Sequence, residues 1–375
     1  MSTENLNTKP RYELLDGMRG VAALLVVWYH IFEGFCTSPT DQNFNHGYLA
    51  VDFFFILSGF VVGYAYDDRW GKMSIKEFFK RRLIRLHPMI VVGVLLGAIA
   101  WVAQGCELWD HTKVGLGWLG VAVAMSFLLI PAIPGTPTDV RGNGEMFPLN
   151  GPSWSLFFEY IGNILYALVL RRLSTRVLGW VVALSAVGVA VYAIGNGSGY
   201  YNMGVGWSLA GTGFLGGFLR LSFAFSAGLL MQRIFKPAKI KGAYLLCPLL
   251  LVTLLVMPYV GGVEGSWLNG LYDTICIVAI FPAIVYLSAS ATTENNALRK
   301  GCNLLGEISY PLYVVQYPSM YLFYAWVWNN GYAFSDVWYV AVALFVGNIA
   351  LALALSRLYD MPIRKWLTSK FLKCK

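Results

Sequence analysis

Apolar residues dominate this chain in long runs that do not alternate. "MIVVGVLLGAIAWVA" (89–103), "VLGWVVALSAVGVAVYAI" (177–194), "AYLLCPLLLVTLLVMPYVGG" (243–262) and "VWYVAVALFVGNIALALAL" (337–355) are free of charged residues. A helix needs roughly 20 such residues to cross a bilayer. Only helices and closed barrels satisfy every backbone group in lipid, and the absence of a period of two excludes barrel strands. The pattern predicts eleven helical segments, near 17–35, 47–66, 87–104, 115–134, 152–170, 177–195, 211–232, 242–261, 268–289, 304–328 and 336–358.

The polar stretches between these segments sort by charge. Lys and Arg crowd into 67–85, 171–176, 233–241, 299–300 and 364–375, and are absent from 36–46, 196–210, 262–267 and 329–335. Basic loops belong on the cytoplasmic side. That assignment fits every segment except those between 85 and 171, where three candidates stand and parity permits an even number. One of 87–104, 115–134 and 152–170 therefore fails to span and enters as a re-entrant piece. The expected protein has ten transmembrane helices, with both termini cytoplasmic. The Pro- and Gly-rich stretch 130–154 borders the exception.

Composition agrees. The chain is 57% hydrophobic and 13% charged, with mean hydropathy +0.57, against about 25% charged residues in soluble domains. The net charge of +8 reads as basic cytoplasmic loops rather than nucleic-acid binding. The six cysteines are scattered with no metal-ligand spacing, so no metal site is expected. The polar N-terminus lacks the shape of a secretory signal, so the first apolar segment is itself a membrane helix. No repeat and no appended soluble domain stands out. Residues 1–375 read as a single all-α membrane domain with its helical core at about 12–366, embedded in the lipid bilayer.

The candidate chemistry starts in "LLDGMRGVAALLVVWYHIF" (14–32). Arg19 and His30 are eleven positions apart, about 20° past three full turns, so they share a face about 16 Å apart along the axis. Ionisable groups within the membrane usually face the bundle interior and mark a site. Asp52, about one turn below the outer end of the second segment, stands at the depth of His30 and is the expected partner for its imidazole; the alternative role is an interfacial helix cap. Ser58 and Gly59 lie deeper and permit close helix contact.

"FFKRRLIRLHP" (78–88) puts Arg82 and Arg85 on one helical face, with Arg81 elsewhere. They anchor the helix in the cytoplasmic headgroups, or clamp phosphate, because guanidinium forks pair bidentately with it. "GPSWSLFFEY" (151–160) places Trp154, Ser155 and Glu159 together, with Asn163 one turn on. Glu159 is costly there unless it is paired or protonated. "LGEISYPLYVVQYP" (305–318) adds Glu307, Ser309, Tyr310, Tyr313 and Gln316, whose tyrosines read individually as aromatic-belt packing.

Together these motifs resemble the acyltransferase-3 family of integral-membrane acyltransferases. "RGVAALLVVWYH" carries the family's Arg, ten residues, then His; "LLDGMRG", "VDFFFILSGF", "PSWSLFFEY" and "YDMPIRKW" (359–366) resemble its other segments, in order, from about 12 to 366. The resemblance implies a bundle of about ten helices in a bacterial cytoplasmic (inner) membrane. It implies an acyl-CoA donor, usually acetyl-CoA, used from the cytoplasmic side. The implied acceptor is a hydroxyl of a cell-envelope glycan or glycolipid. His30 would be the general base; the residues themselves add Asp52, as its orienting partner, and Glu159, which could pair with an arginine or contact acceptor hydroxyls, as further catalytic candidates. Arg19, Arg82 and Arg85 would bind the donor, and Trp154, Ser155 and Ser58 would contact substrate. Ser58, Ser155 and His30 are the candidates for carrying a transient acyl group. Gln316 stands where many relatives have His, and the hydrolase-like domain that some relatives append is absent. The rival reading is a proton-coupled transporter or flippase that uses Arg19, His30 and Asp52 as a proton relay.

Overall fold

The computed structural model describes residues 11–262 and 264–372. Thirteen α-helices account for the architecture: α1 (Glu13–Glu33), α2 (Ala50–Tyr66), α3 (Ile75–Ala103), α4 (Leu116–Phe127), α5 (Ser153–Leu168), α6 (Thr175–Ile194), α7 (Gly213–Ile234), α8 (Ala243–Leu255), α9 (Trp267–Ile275), α10 (Phe281–Ala289), α11 (Asn296–Asn330), α12 (Phe334–Leu355) and α13 (Met361–Phe371). No sheet forms among the described residues, where the only β pairings are three isolated bridges. Short polar signals start several helices. Ser74 and Ser174 accept hydrogen bonds from Glu77 N and Val177 N, and Asn295 caps α11. A left-handed Gly331 ends α11.

Each of the eleven predicted segments is helical, in whole or in part. α9 and α10 join through a π-helical turn, Cys276–Ile280, into one rod. α12 and α13 join likewise through Ser356–Asp360. The last helix therefore runs to Phe371, beyond the predicted end near 358, and takes in the basic residues from Arg364 to Lys370. Eight helices are long and apolar enough to cross a membrane. α11 runs the same height, from Arg299 on Glu13 to Trp328 on the Gly34 carbonyl. α8 is short, and the chain after it, 256–260, is not helical. Ile240, ahead of it, pairs with the backbone of Ser290, and Val260 N bonds Asn269.

The segment that fails to cross is α4. Its 12 residues span about 18 Å, against a hydrocarbon core of about 30 Å. It dips beside α3 until the Phe127 carbonyl comes within reach of His87. The chain then climbs back to bond Ala132 N to Met146 O, with Val140 O on the Trp101 indole. Among the described residues α4 and α8 are the apolar helices too short to span by themselves.

α2 lies at the centre of the bundle, and α6 and α12 turn large apolar side chains such as Trp180, Leu184, Trp338 and Val346 outward. α2 and α7 nearly touch. A Cβ on Gly59 would lie 2.0 Å from the Phe225 oxygen, and one on Gly228 would lie 2.0 Å from the Ile56 oxygen. The close contact expected at Gly59 is present, with α7 as its partner.

Candidate active site

Two cavities follow one another along the bundle interior. The one at the basic end is about 520 Å³ and takes a wall from almost every central helix. Arg19 comes from α1, Ser58 from α2, Arg82 and Arg85 from α3, Ser155 and Glu159 from α5, and Tyr310 and Tyr313 from α11. The i, i+3 spacing does what the sequence suggested: both arginines face inward, while Arg81 turns away to Glu77 at 2.6 Å. Arg82 is 3% exposed. Its Nη2 donates to Glu159 Oε1 at 2.7 Å, and Ser58 Oγ donates to the same oxygen at 3.0 Å. Arg82 Nε is buried without a partner. Arg85 has no hydrogen bond or ion pair among the described residues, and Arg19 sits a loose 4.0 Å from Asp16. Uncommitted guanidinium groups at the mouth of a membrane cavity suit a ligand bearing phosphates.

The outer cavity, about 310 Å³, is walled by His30, Glu33, Tyr48, Glu145, Trp154, Arg220, Tyr317, Tyr321 and Tyr324, with Trp109, Trp207 and Trp328 around them. His30 Nδ1 is 2.8 Å from Glu33 Oε2, and Tyr324 donates to the same oxygen at 3.0 Å. A carboxylate can only accept, so Nδ1 carries the proton and Nε2 is left as an acceptor with no protein partner. The imidazole also meets the Tyr317 ring edge-on, at 4.7 Å between centroids. Across the cavity, Glu145 accepts from the Tyr321 hydroxyl, and Arg141 lies 3.5 Å over the Tyr321 ring. Glu145 belongs to the outer loop. Burial pushes its carboxyl up to about 7, and Tyr321 and Arg141 oppose a further rise.

Val51 and Tyr313 line both cavities and separate them. Ser155 donates its single proton to Pro152 O at 3.0 Å, so Tyr313 donates to Ser155 at 2.6 Å. Ser155 is thereby committed to the partition. Trp154, the next residue back, faces the outer cavity with Arg220 5.1 Å over its ring.

Asp52 is not the partner of His30. It is fully buried in a fork with Arg220, whose Nε lies 3.0 Å from Oδ1 and whose Nη2 lies 2.8 Å from Oδ2. Arg220 also donates to the carbonyls of Val205 and Tyr48, so the pair fixes the cavity wall. Depth was legible from the sequence; the direction in which α2 faces was not. The carboxylate on His30 is Glu33, three residues along its own helix, and that i, i+3 spacing was visible. Glu159, a catalytic candidate that could pair with an arginine, stands in the basic-end cavity as the partner of Arg82. Tyr313 and Tyr310 are interior residues rather than belt residues, Tyr310 bonding the Leu86 carbonyl. Gln316 is fully buried, and its side-chain atoms have no partner. Arg220 was a lone charge in "GGFLRLSF", a signal the sequence carried. Arg141 and Glu145 lie in a loop with no periodicity to mark them.

The described residues form a helical bundle with a basic cavity next to one that holds a His–Glu pair. The acyltransferase domain of the acyltransferase-3 family matches residues 12–357, and the chain belongs to that family. It is an integral-membrane acyltransferase. "Protein 2 in picA locus" of Rhizobium radiobacter is 36% identical over 191 residues, 49% of this chain and 95% of that protein. "Acyltransferase MdmB" of Streptomyces mycarofaciens is 28% identical over 194 residues, 48% of this chain and 45% of that protein. "Putative O-acetyltransferase SACOL0978" of Staphylococcus aureus (strain COL) is 37% identical over 86 residues, 22% of this chain and 13% of that protein. The chain thus spans less than half the length of the latter two. No solved structure matches.

Proposed function

We propose that this protein transfers an acyl group, acetyl first among candidates, from acyl-CoA to a hydroxyl of a cell-envelope carbohydrate. The observation that carries this reading is the pair of cavities meeting at Tyr313 and Val51, with arginines in one and the His30–Glu33 pair in the other. The basic end is the cytoplasmic end by the positive-inside rule. Donor phosphates meet Arg82, Arg85 and Arg19, and the thioester arm reaches past Tyr313 toward His30. His30 Nε2 takes the proton of the acceptor hydroxyl as its oxygen attacks the thioester carbonyl. Glu33 stabilises the imidazolium that forms. The tetrahedral intermediate expels the coenzyme A thiolate, which takes the proton from His30, so ester and free thiol are the balanced products. The aromatic walls of the outer cavity suit the apolar faces of a sugar. The name of the Staphylococcus relative, an O-acetyltransferase, supports the hydroxyl acceptor.

The relay that a proton-coupled transporter would need is interrupted, because Asp52 is held by Arg220. The test is acetyl-CoA binding and turnover in nanodiscs for wild type, His30→Ala and the double variant Arg82→Gln/Arg85→Gln. Binding lost in the double variant, and turnover lost but binding kept in His30→Ala, is the expected outcome. Failure of the wild type to bind any acyl-CoA sinks the proposal.

A further inference from the structure

The basic-end cavity has a wall, from the "YDMPIRKW" segment, that the mechanism above does not employ. It comes from the last helix. The π-helical turn Ser356–Asp360 inserts an extra residue, which rotates all that follows by about 100° relative to a continuous α-helix. Ser356, Asp360, Met361 and Arg364 line the cavity as a result. Asp360 is 3% exposed and Arg364 Nη1 donates to its Oδ2 at 2.8 Å, while Asp360 Oδ1 is buried with no partner. α13 itself buries no residue, so this ion pair does not pin the helix into a core. The Arg364 end of this i, i+4 pair is about one third exposed, which limits what the pair adds to stability. A half-satisfied buried carboxylate is a cost that such a pair alone does not explain.

Charge pairing across the cavity explains it. Five guanidinium groups line the space, those of Arg11, Arg19, Arg82, Arg85 and Arg364, with four carboxylates, Asp16, Glu159, Glu307 and Asp360. Arg11 and Arg19 lean on Asp16, Arg82 on Glu159 and Arg364 on Asp360, leaving Arg85 open. Glu307 pairs with Arg357 outside the lining, so the cavity keeps a positive excess that a polyanion would complement.

Resting on the acyl-CoA reading, we infer that Arg364 is a donor-binding residue, a further guanidinium for the carrier's phosphates, which Asp360 holds in place until the donor arrives. The ligand class is a thioester carrier bearing several phosphates. Two opposite effects follow. Arg364→Gln removes a charge-assisted contact and weakens binding about ten- to a hundredfold. Asp360→Asn keeps an oxygen to orient Arg364 but removes the competing charge, so it tightens binding.

The experiment measures coenzyme A binding by calorimetry on full-length protein in nanodiscs. The variants are Arg364→Gln, Arg364→Lys, Asp360→Asn and Arg176→Gln, the last an exposed arginine of α6 outside the cavity. Weaker binding in Arg364→Gln, partial recovery in Arg364→Lys, tighter binding in Asp360→Asn and no change in Arg176→Gln is the expected set. Equal weakening in Arg364→Gln and Asp360→Asn marks a merely structural pair and overturns the inference. So does an unchanged affinity in Arg364→Gln. If Arg364→Gln binds normally while Arg82→Gln/Arg85→Gln does not, this inference alone falls. If the wild type does not bind coenzyme A, the donor reading falls with it.

Discussion

Replacing Glu33 by Gln keeps the size of the side chain and removes one charge. In the resting site Glu33 Oε2 lies 2.8 Å from His30 Nδ1, and Gln still offers an oxygen to that N–H, so the tautomer is preserved. The loss appears when His30 takes up a proton and the pair becomes imidazolium and carboxylate. Unit charges 4 Å apart attract by about 1 kcal/mol in water and about 4 kcal/mol at the effective dielectric of a protein surface. The Glu33 side chain is 36% exposed and His30 16%, so screening sets the figure between these limits, at about 2 kcal/mol. That is about thirtyfold in kcat. A fully buried carboxylate in a serine-protease triad is worth about 10⁴, which this partly wet pair should not reach. KM for acetyl-CoA should not move, because the arginines occupy the other cavity. The assay follows thiol release from acetyl-CoA in membranes of expressing cells, which supply the acceptor. A Glu33→Gln enzyme with wild-type kcat, or one that loses donor affinity instead, would refute the assignment.

Three further outcomes follow from the same geometry. Arg220→Met leaves Asp52 buried and unpaired and should cost about 3–5 kcal/mol, seen as a lowered melting temperature that Asp52→Leu in the same chain partly restores; no recovery would mean the pair is not the cause. Gly228→Ala puts a methyl 2.0 Å from the Ile56 oxygen, so α2 and α7 must part, at about 1–3 kcal/mol; an unchanged melting temperature would contradict the close crossing. Glu145, with its carboxyl raised to about 7, binds its proton more tightly folded than unfolded, where a Glu titrates near about 4.3. Its contribution is therefore full below that value and lost as pH rises through about 7. Wild type should lose more stability than Glu145→Gln between pH 5 and 8, and parallel curves would show that Glu145 does not titrate there.

Some site residues were legible because they sit on one helix. Arg19 and His30, Arg82 and Arg85, and Ser155 with Glu159 are each related by a helical period, and a helix fixes depth and relative angle once its residues are known. Pairing between helices was not legible. Asp52 has the right depth for His30, yet α2 turns it toward α7 and Arg220. Glu145 and Arg141 come from a loop whose path depends on the bundle that encloses it. Arg364 reaches the cavity only through a π-helical turn, which shifts the phase of everything after it.

The sequence by itself determined that this is a helical membrane protein with many apolar helices and basic loops between them. These follow from local quantities: the length of apolar runs and the sign of the charge between them. It also marked the acyltransferase family through motifs in a fixed order. Only the tertiary structure decided which segment turns back, and that is α4, because 12 helical residues cannot cross a bilayer. Only it decided that Glu33 rather than Asp52 holds His30. Only it showed that the arginines and the histidine stand in two cavities meeting at Tyr313. Those choices depend on how each helix is rotated about its own axis, which close packing sets at glycine contacts such as Gly59 on α7.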